Sequence, residues 1–170
     1  MTDDGDRSDR ISDLSSISPE NFKYRNTQFL LNSDAVYETG MNLQQQDLRR
    51  RIWNVRNGDL RRVLDEFPID GPVREQCALW MHAVVGKHFF PDANHRTAVA
   101  LLRKLLADNG LVYTGFQDTQ SVAEVRDRSH NVRTEIDPVQ LDTLYRRDEL
   151  YEVWLEFFDI GEFKLVPKND

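Results

Sequence analysis

Three stretches of this chain carry apolar side chains at i, i+3, i+4, i+7 and i+8. They are Cys77, Trp80, Met81, Val84 and Val85; Ala98, Leu101, Leu102, Leu105 and Leu106; and Leu150, Val153, Trp154, Phe157 and Phe158. That spacing lays a single stripe along a helix of 3.6 residues per turn and conflicts with the two-residue period of a half-buried strand. Helices with one apolar stripe must bury it against each other, so the pattern predicts an all-α bundle. Chain breakers fall in agreement: Gly71-Pro72 precedes the first stripe, Asn109-Gly110 ends the second and Gly161 ends the third. At 170 residues the chain is one domain's worth, long enough to enclose a core.

Between these stripes the signal is weaker. Leu48, Ile52 and Val55 mark a helix from Leu43 to Asn57, stopped at Asn57-Gly58, whose Arg49, Arg50 and Arg51 read as a solvated face. A short helix from Asp59 to Glu66 and another from Asp118 to Ser129 follow, the latter with Arg126 and Arg128 outward, and Pro138 is placed to open one more. Residues 22–41 mix aromatic and aliphatic residues with Asn32-Ser33-Asp34 and read as short extended pieces around turns. Leu111-Val112-Tyr113 is too brief to assign. Residues 1–18 hold five aspartates and little apolar content, which predicts an unordered acidic tail before a single domain at 19–170.

The net charge of -7, from 29 acidic against 22 basic residues, argues against nucleic acid as a direct partner, because a phosphate backbone calls for a basic surface. Five of the basic residues are lysines and the rest are arginines, a balance suited to a salt-rich cytoplasm. Cys77 stands alone, so no disulfide framework exists and a cytoplasmic location is expected. There is no apolar run of membrane-spanning length, and the first twenty residues are acidic rather than signal-like.

The chemistry concentrates in His88-Phe89-Phe90-Pro91-Asp92-Ala93-Asn94-His95-Arg96-Thr97-Ala98, where a base, an acid, an amide and a guanidinium lead straight into the second striped helix. The first turn of a helix has backbone N–H groups without partners and a dipole that favours an anion, which suits phosphate. With a polyphosphate seated there, the N–H groups of Ala93, Asn94, His95 and Arg96 would meet its oxygens, and Arg96 would fork two of them. Asp92 offers one oxygen ligand to Mg²⁺ shared with phosphates and water, and Asn94 an amide to the transferring group. His88, with an ordinary pKa near 6.5, could take a proton from an incoming hydroxyl. Phe90 would turn inward as an anchor. Three other readings stand beside this one. Asp92 and Asn94 could be plain helix caps, His82, His88, Asp92 and His95 could ligate a hydrolytic metal, or the chain could be a silent regulatory module. His82 itself, six residues before His88, reads as structural, and His130 carries no assignable role.

The pattern His88-x-Phe90-x-Asp92-Ala93-Asn94-x-Arg96-Thr97-Ala98 resembles the core motif of the Fic/Doc (Fido) family, and Ala93 with Thr97-Ala98 is similar to its Doc (death-on-curing) branch. The similarity covers residues 72–112. It implies a Fido-like helical bundle with a small β-hairpin flap, for which residues 33–41 are the place by order along the chain. It also implies ATP or another nucleoside triphosphate with Mg²⁺ as cofactors, His88, Asn94 and Arg96 as catalytic residues, and transfer onto a protein hydroxyl. The Doc branch implies transfer of the terminal phosphate to a Ser or Thr, a translation elongation factor as target, and a toxin paired with an antitoxin. AMP transfer is the alternative. Two departures bear on this: Val99 stands where a second arginine is usual, and His95 stands where glycine or lysine is usual, which makes its charge depend on pH. Ser16-Ile17-Ser18-Pro19-Glu20-Asn21 fits the pattern by which some relatives insert an inhibitory glutamate, here Glu20.

Overall fold

In the computed structural model residues 9–31 and 43–167 are described. The helices are α1 (Pro19–Leu31), α2 (Leu43–Trp53), α3 (Asn57–Asp65), α4 (Val73–Lys87), α5 (Asn94–Asp108), α6 (Thr119–Arg133) and α7 (Glu149–Ile160), with strands β1 (Leu111–Tyr113) and β2 (Phe163–Leu165). Short 3-10 turns run over Thr114–Gln117 and Leu141–Thr143. The described residues are mostly helical with one small antiparallel sheet, which agrees with the all-α expectation at that level.

Helix α4 is the axle. Its stripe predicts one buried face, yet every residue from Gln76 to Gly86 is buried, because α5 and α7 cover one side while α3 and the N-terminal segment close the rest. Gly86 permits the tightest approach: a Cβ there would meet Val139 Cγ2 at 2.7 Å and Leu150 Cδ2 at 3.2 Å. Trp80 fills the space between α4 and α5, donating its indole N–H to Ala98 O at 3.0 Å and stacking on Phe22. The expected stripes of α5 and α7 are buried as predicted. Asp118 and Asp148 cap α6 and α7 by accepting from the N–H of Ser121 and Tyr151.

Several boundaries differ from expectation for physical reasons. Residues 19–31 form helix α1, not extended pieces, and its buried face is mostly polar: Lys23, Asn26 and Thr27 are buried beside Pro19 and Phe22, so no apolar stripe announces it. Asn57-Gly58 opens α3 rather than ending α2, which stops at Trp53. Pro138 starts no α-helix. Leu111–Tyr113 is a strand because Phe163–Leu165, far along the chain, pairs with it in the register Leu111↔Leu165 and Tyr113↔Phe163. This pair is not a hairpin between neighbours; the flap expected at 33–41 lies outside the described residues. Residues 9–18, expected within the unordered tail, are docked: Ile11 and Ile17 are buried, Gln76 exchanges two hydrogen bonds with the Ile11 backbone, and Asn109 Oδ1 accepts from the N–H of Ser12 and Asp13. The chain's first eight residues lie outside the described residues. Among the described residues no helix is long and apolar enough to cross a membrane.

Candidate functional site

The link between α4 and α5 is held between two residues in the left-handed region, His88 (φ 58°) and Ala93 (φ 60°). For residues other than glycine this costs about 1–2 kcal/mol each, so the loop must be braced. Asn94, 4% exposed, does much of the bracing. Its Oδ1 accepts from Phe90 N–H at 3.0 Å, and its Nδ2 donates to Phe90 O at 2.8 Å and faces His88 Nδ1 at 3.3 Å. From α1, Asn26 Nδ2 donates to Asp92 O and to Thr97 Oγ1, both at 2.9 Å. Phe90 turns inward and is 1% exposed, as the sequence suggests.

Two expected roles change with this geometry. The Asn94 amide, expected to reach a transferring group, is engaged inside the loop by Phe90 and His88. The Ala93 N–H, expected to meet an anion, donates to Asp92 Oδ1 at 2.7 Å. Thr97 N–H is satisfied by Ala93 O, so the N–H groups of Asn94, His95 and Arg96 are those the first turn leaves without intrahelical partners.

His88, Asp92, Asn94, His95 and Arg96 converge on one cleft of ≈540 Å³. Its other wall comes from α6, where Arg126, His130 and Arg133 fall at i, i+4 and i+7 and so share a face. Sequence reasoning passes over these three, although their spacing is a legible signal. Arg96, Arg126 and Arg133 have no carboxylate partner among the described residues, whereas Arg128, on the other side of α6, pairs with Glu156 at 2.9 Å. In a chain of net charge -7 the cleft is thus locally cationic, with Asp92 its one acidic lining residue among those described.

That field shows in the histidines. Partial burial, then Arg133 and His130, push the His88 pKa below its ordinary value against an opposing pull from Asp92. His95 is lowered to about 4, first by burial and then by His130, Arg126, His88 and Arg133. Its charge is therefore absent at neutral pH rather than pH-dependent there. Because Asn94 Nδ2 faces His88 Nδ1, the neutral His88 ring in this geometry carries its proton on Nε2; accepting a proton at the cleft requires the ring to turn.

A largely apolar slot of ≈250 Å³ adjoins the cleft, lined by Phe29, Val99, Ala100, Val122 and Trp154 with Arg103 at its wall, and sharing His95, Arg96 and Arg126 with it. The Arg96 guanidinium lies 5.2 Å from the Phe29 ring centroid. Neither His88 nor Asp92 lines the slot.

Asp92 is exposed at the cleft and fits Mg²⁺ held by a single protein carboxylate with phosphates and water supplying the other positions. The alternative hydrolytic set is not assembled. His82 is fully buried, with Nδ1 2.6 Å from Leu144 O and Nε2 3.0 Å from Asp148 Oδ2, and among the described residues no three His, Cys, Asp or Glu side chains form a metal-sized group. Glu20 sits in the first turn of α1, where Asn57 Nδ2 donates to it at 3.2 Å, and it does not line the cleft. Comparison of the chain with models of protein families, with curated proteins and with solved structures finds no match in any of the three.

Proposed function

We propose that this chain is a Doc-like transferase of the Fido kind that moves the terminal phosphoryl group of a nucleoside triphosphate to a Ser or Thr hydroxyl of another protein, as the toxin of a toxin–antitoxin pair. The observation that carries this reading is the order of groups along one trough. The apolar slot comes first, then Arg96, His95 and Arg126, which both cavities share, then His88, Asp92 and Arg133, which line the cleft alone. A base held in the slot sends its phosphates between Arg96 and Arg126, and the far end of the chain of phosphates is the part that reaches His88. Nucleotidyl transfer would need the near end there.

In the step itself the acceptor oxygen forms a bond to the terminal phosphorus, the bond to the bridging oxygen breaks, and a nucleoside diphosphate leaves. His88, once its ring has turned to present its unprotonated Nδ1 to the cleft, takes the hydroxyl proton, a contribution on the order of 10²- to 10⁴-fold. Arg96, Arg133 and the first-turn N–H groups of α5 hold the charge that develops on the phosphoryl oxygens. Asn94 and Asn26 keep the loop in place. Asp92 would hold Mg²⁺, which neutralises phosphate charge when bound.

The test is incubation of the protein with a host lysate and ATP labelled at either the alpha or the gamma phosphate. Gamma label on protein, lost in His88→Ala, is the expected result. Alpha label on protein would replace phosphate transfer by AMP transfer, and no label from either position would overturn the transferase reading in favour of a silent module.

A further inference from the structure

His95 reaches out of the first turn of α5 towards α6 and α7. Its Nε2 lies 2.8 Å from Ser129 Oγ, and Trp154 Nε1 donates to that same oxygen at 3.0 Å. Ser129 is fully buried, and among the described residues its hydroxyl has no other hydrogen-bond partner. A hydroxyl has one proton and two lone pairs, and an indole N–H can only donate. The indole therefore takes a lone pair, and the hydroxyl proton is left for His95 Nε2. A neutral imidazole that accepts at Nε2 carries its proton on Nδ1. Nδ1 has no protein acceptor among the described residues, and the ring lines both the cleft and the slot.

We propose that His95 is a neutral oxyanion donor, its Nδ1–H set by the Trp154–Ser129 relay to bind a phosphoryl oxygen of a di- or triphosphate at the junction of slot and cleft. Ser129 and Trp154 are positioning residues for it. The low pKa fits, since burial and the surrounding His130, Arg126, His88 and Arg133 keep the ring uncharged across the neutral range. A lysine at this place would add a mobile charge; the imidazole instead adds a donor of fixed direction between Arg96 and Arg126, which supply the charge. The inference rests on the reading of the cleft as a phosphate site, and it is independent of whether transfer occurs.

The experiment is nitrogen NMR of the full chain with labelled histidine, His95 being assigned by the resonances lost in His95→Gln, with inorganic tripolyphosphate as probe. At pH 7 the wild type should show a pyrrole-type Nδ1 and a pyridine-type Nε2 at His95, and tripolyphosphate should shift the Nδ1–H signal. Ser129→Ala should release the tautomer and weaken tripolyphosphate binding about tenfold, the scale of one well-placed hydrogen bond, while Ser129→Thr keeps both. A wild-type proton on Nε2, or an Nδ1–H indifferent to tripolyphosphate, overturns the proposal, and both readouts stand even if Ser129→Ala fails to fold. A correct tautomer without label transfer would sink the transferase reading alone; label transfer with the proton on Nε2 would sink this one alone.

Discussion

His88 and Ala93 are held in a backbone region that side chains with a Cβ enter at a cost, and the hydrogen bonds of Asn94 to Phe90 and of Asn26 to Asp92 offset it. The strain aims His88 into the cleft beside Arg133, and this has a consequence for pH. The form of His88 able to accept a proton is the neutral one, and burial with Arg133 and His130 lowers its pKa. The neutral form therefore persists below the usual histidine range, and the acid limb of kcat/KM for transfer, which reports the free enzyme, should fall below pH 6.5. Arg133→Gln removes one cation but leaves the burial, so it should move the limb upward only in part. A rate profile with its limb above pH 6.5 in the wild type, or moving downward in Arg133→Gln, would contradict the assignment. At this scale the sequence gives residue types but not directions. Phe90 is apolar next to polar neighbours and reads correctly as an anchor. Asn94 reads the same whether its amide serves a ligand or the loop. Arg126 and Arg128 look alike until Glu156 is seen to claim only the second.

Helices whose partners are apolar announce themselves, and α4, α5 and α7 do. What the pattern misses is held by polar contacts from far along the chain. α1 buries Lys23, Asn26 and Thr27, whose partners include Trp53 O, Asp92 O and Thr97 Oγ1, so its helical period is written in residues that look solvated. Residues 9–18 are poor in apolar groups but are fastened by two buried amides, Gln76 and Asn109, that no local pattern connects to them. Asn109 is the clearer test. It accepts from Ser12 and Asp13 N–H at 3.1 Å each and donates to Asp13 O and Leu105 O. Asn109→Ala leaves these groups without partners, and a cost of about 2–3 kcal/mol follows from orphaned, partly buried polar groups. Urea denaturation should show that loss, and hydrogen exchange should show the Ser12 and Asp13 amides losing protection far more than those within α4. Equal loosening of α4 would mean the segment is part of the core's own cooperativity rather than a strap upon it.

Across the whole molecule the charge is unevenly spread: a net -7 chain gathers Arg96, Arg126 and Arg133 around one cleft with Asp92 as their acidic neighbour. A net negative charge disfavours nucleic acid at long range, while the proposed phosphate site is a cationic cleft whose low-dielectric walls would favour a compact polyanion at short range. Binding to the folded state alone stabilises it by mass action, about 2.7 kcal/mol when ligand is a hundred times its Kd. For a chain of this size each kcal/mol raises Tm by roughly 2–4 °C, so tripolyphosphate should raise Tm by roughly 5–10 °C. Sodium chloride at matched ionic strength shortens the screening length without filling the cleft, and should not reproduce the shift. Arg126→Ala, remote from the buried core, should blunt the response to tripolyphosphate while leaving the unliganded Tm within a few degrees of wild type. An unchanged response in that variant, or an equal rise with sodium chloride, would mean the α6 wall takes no part in holding the anion.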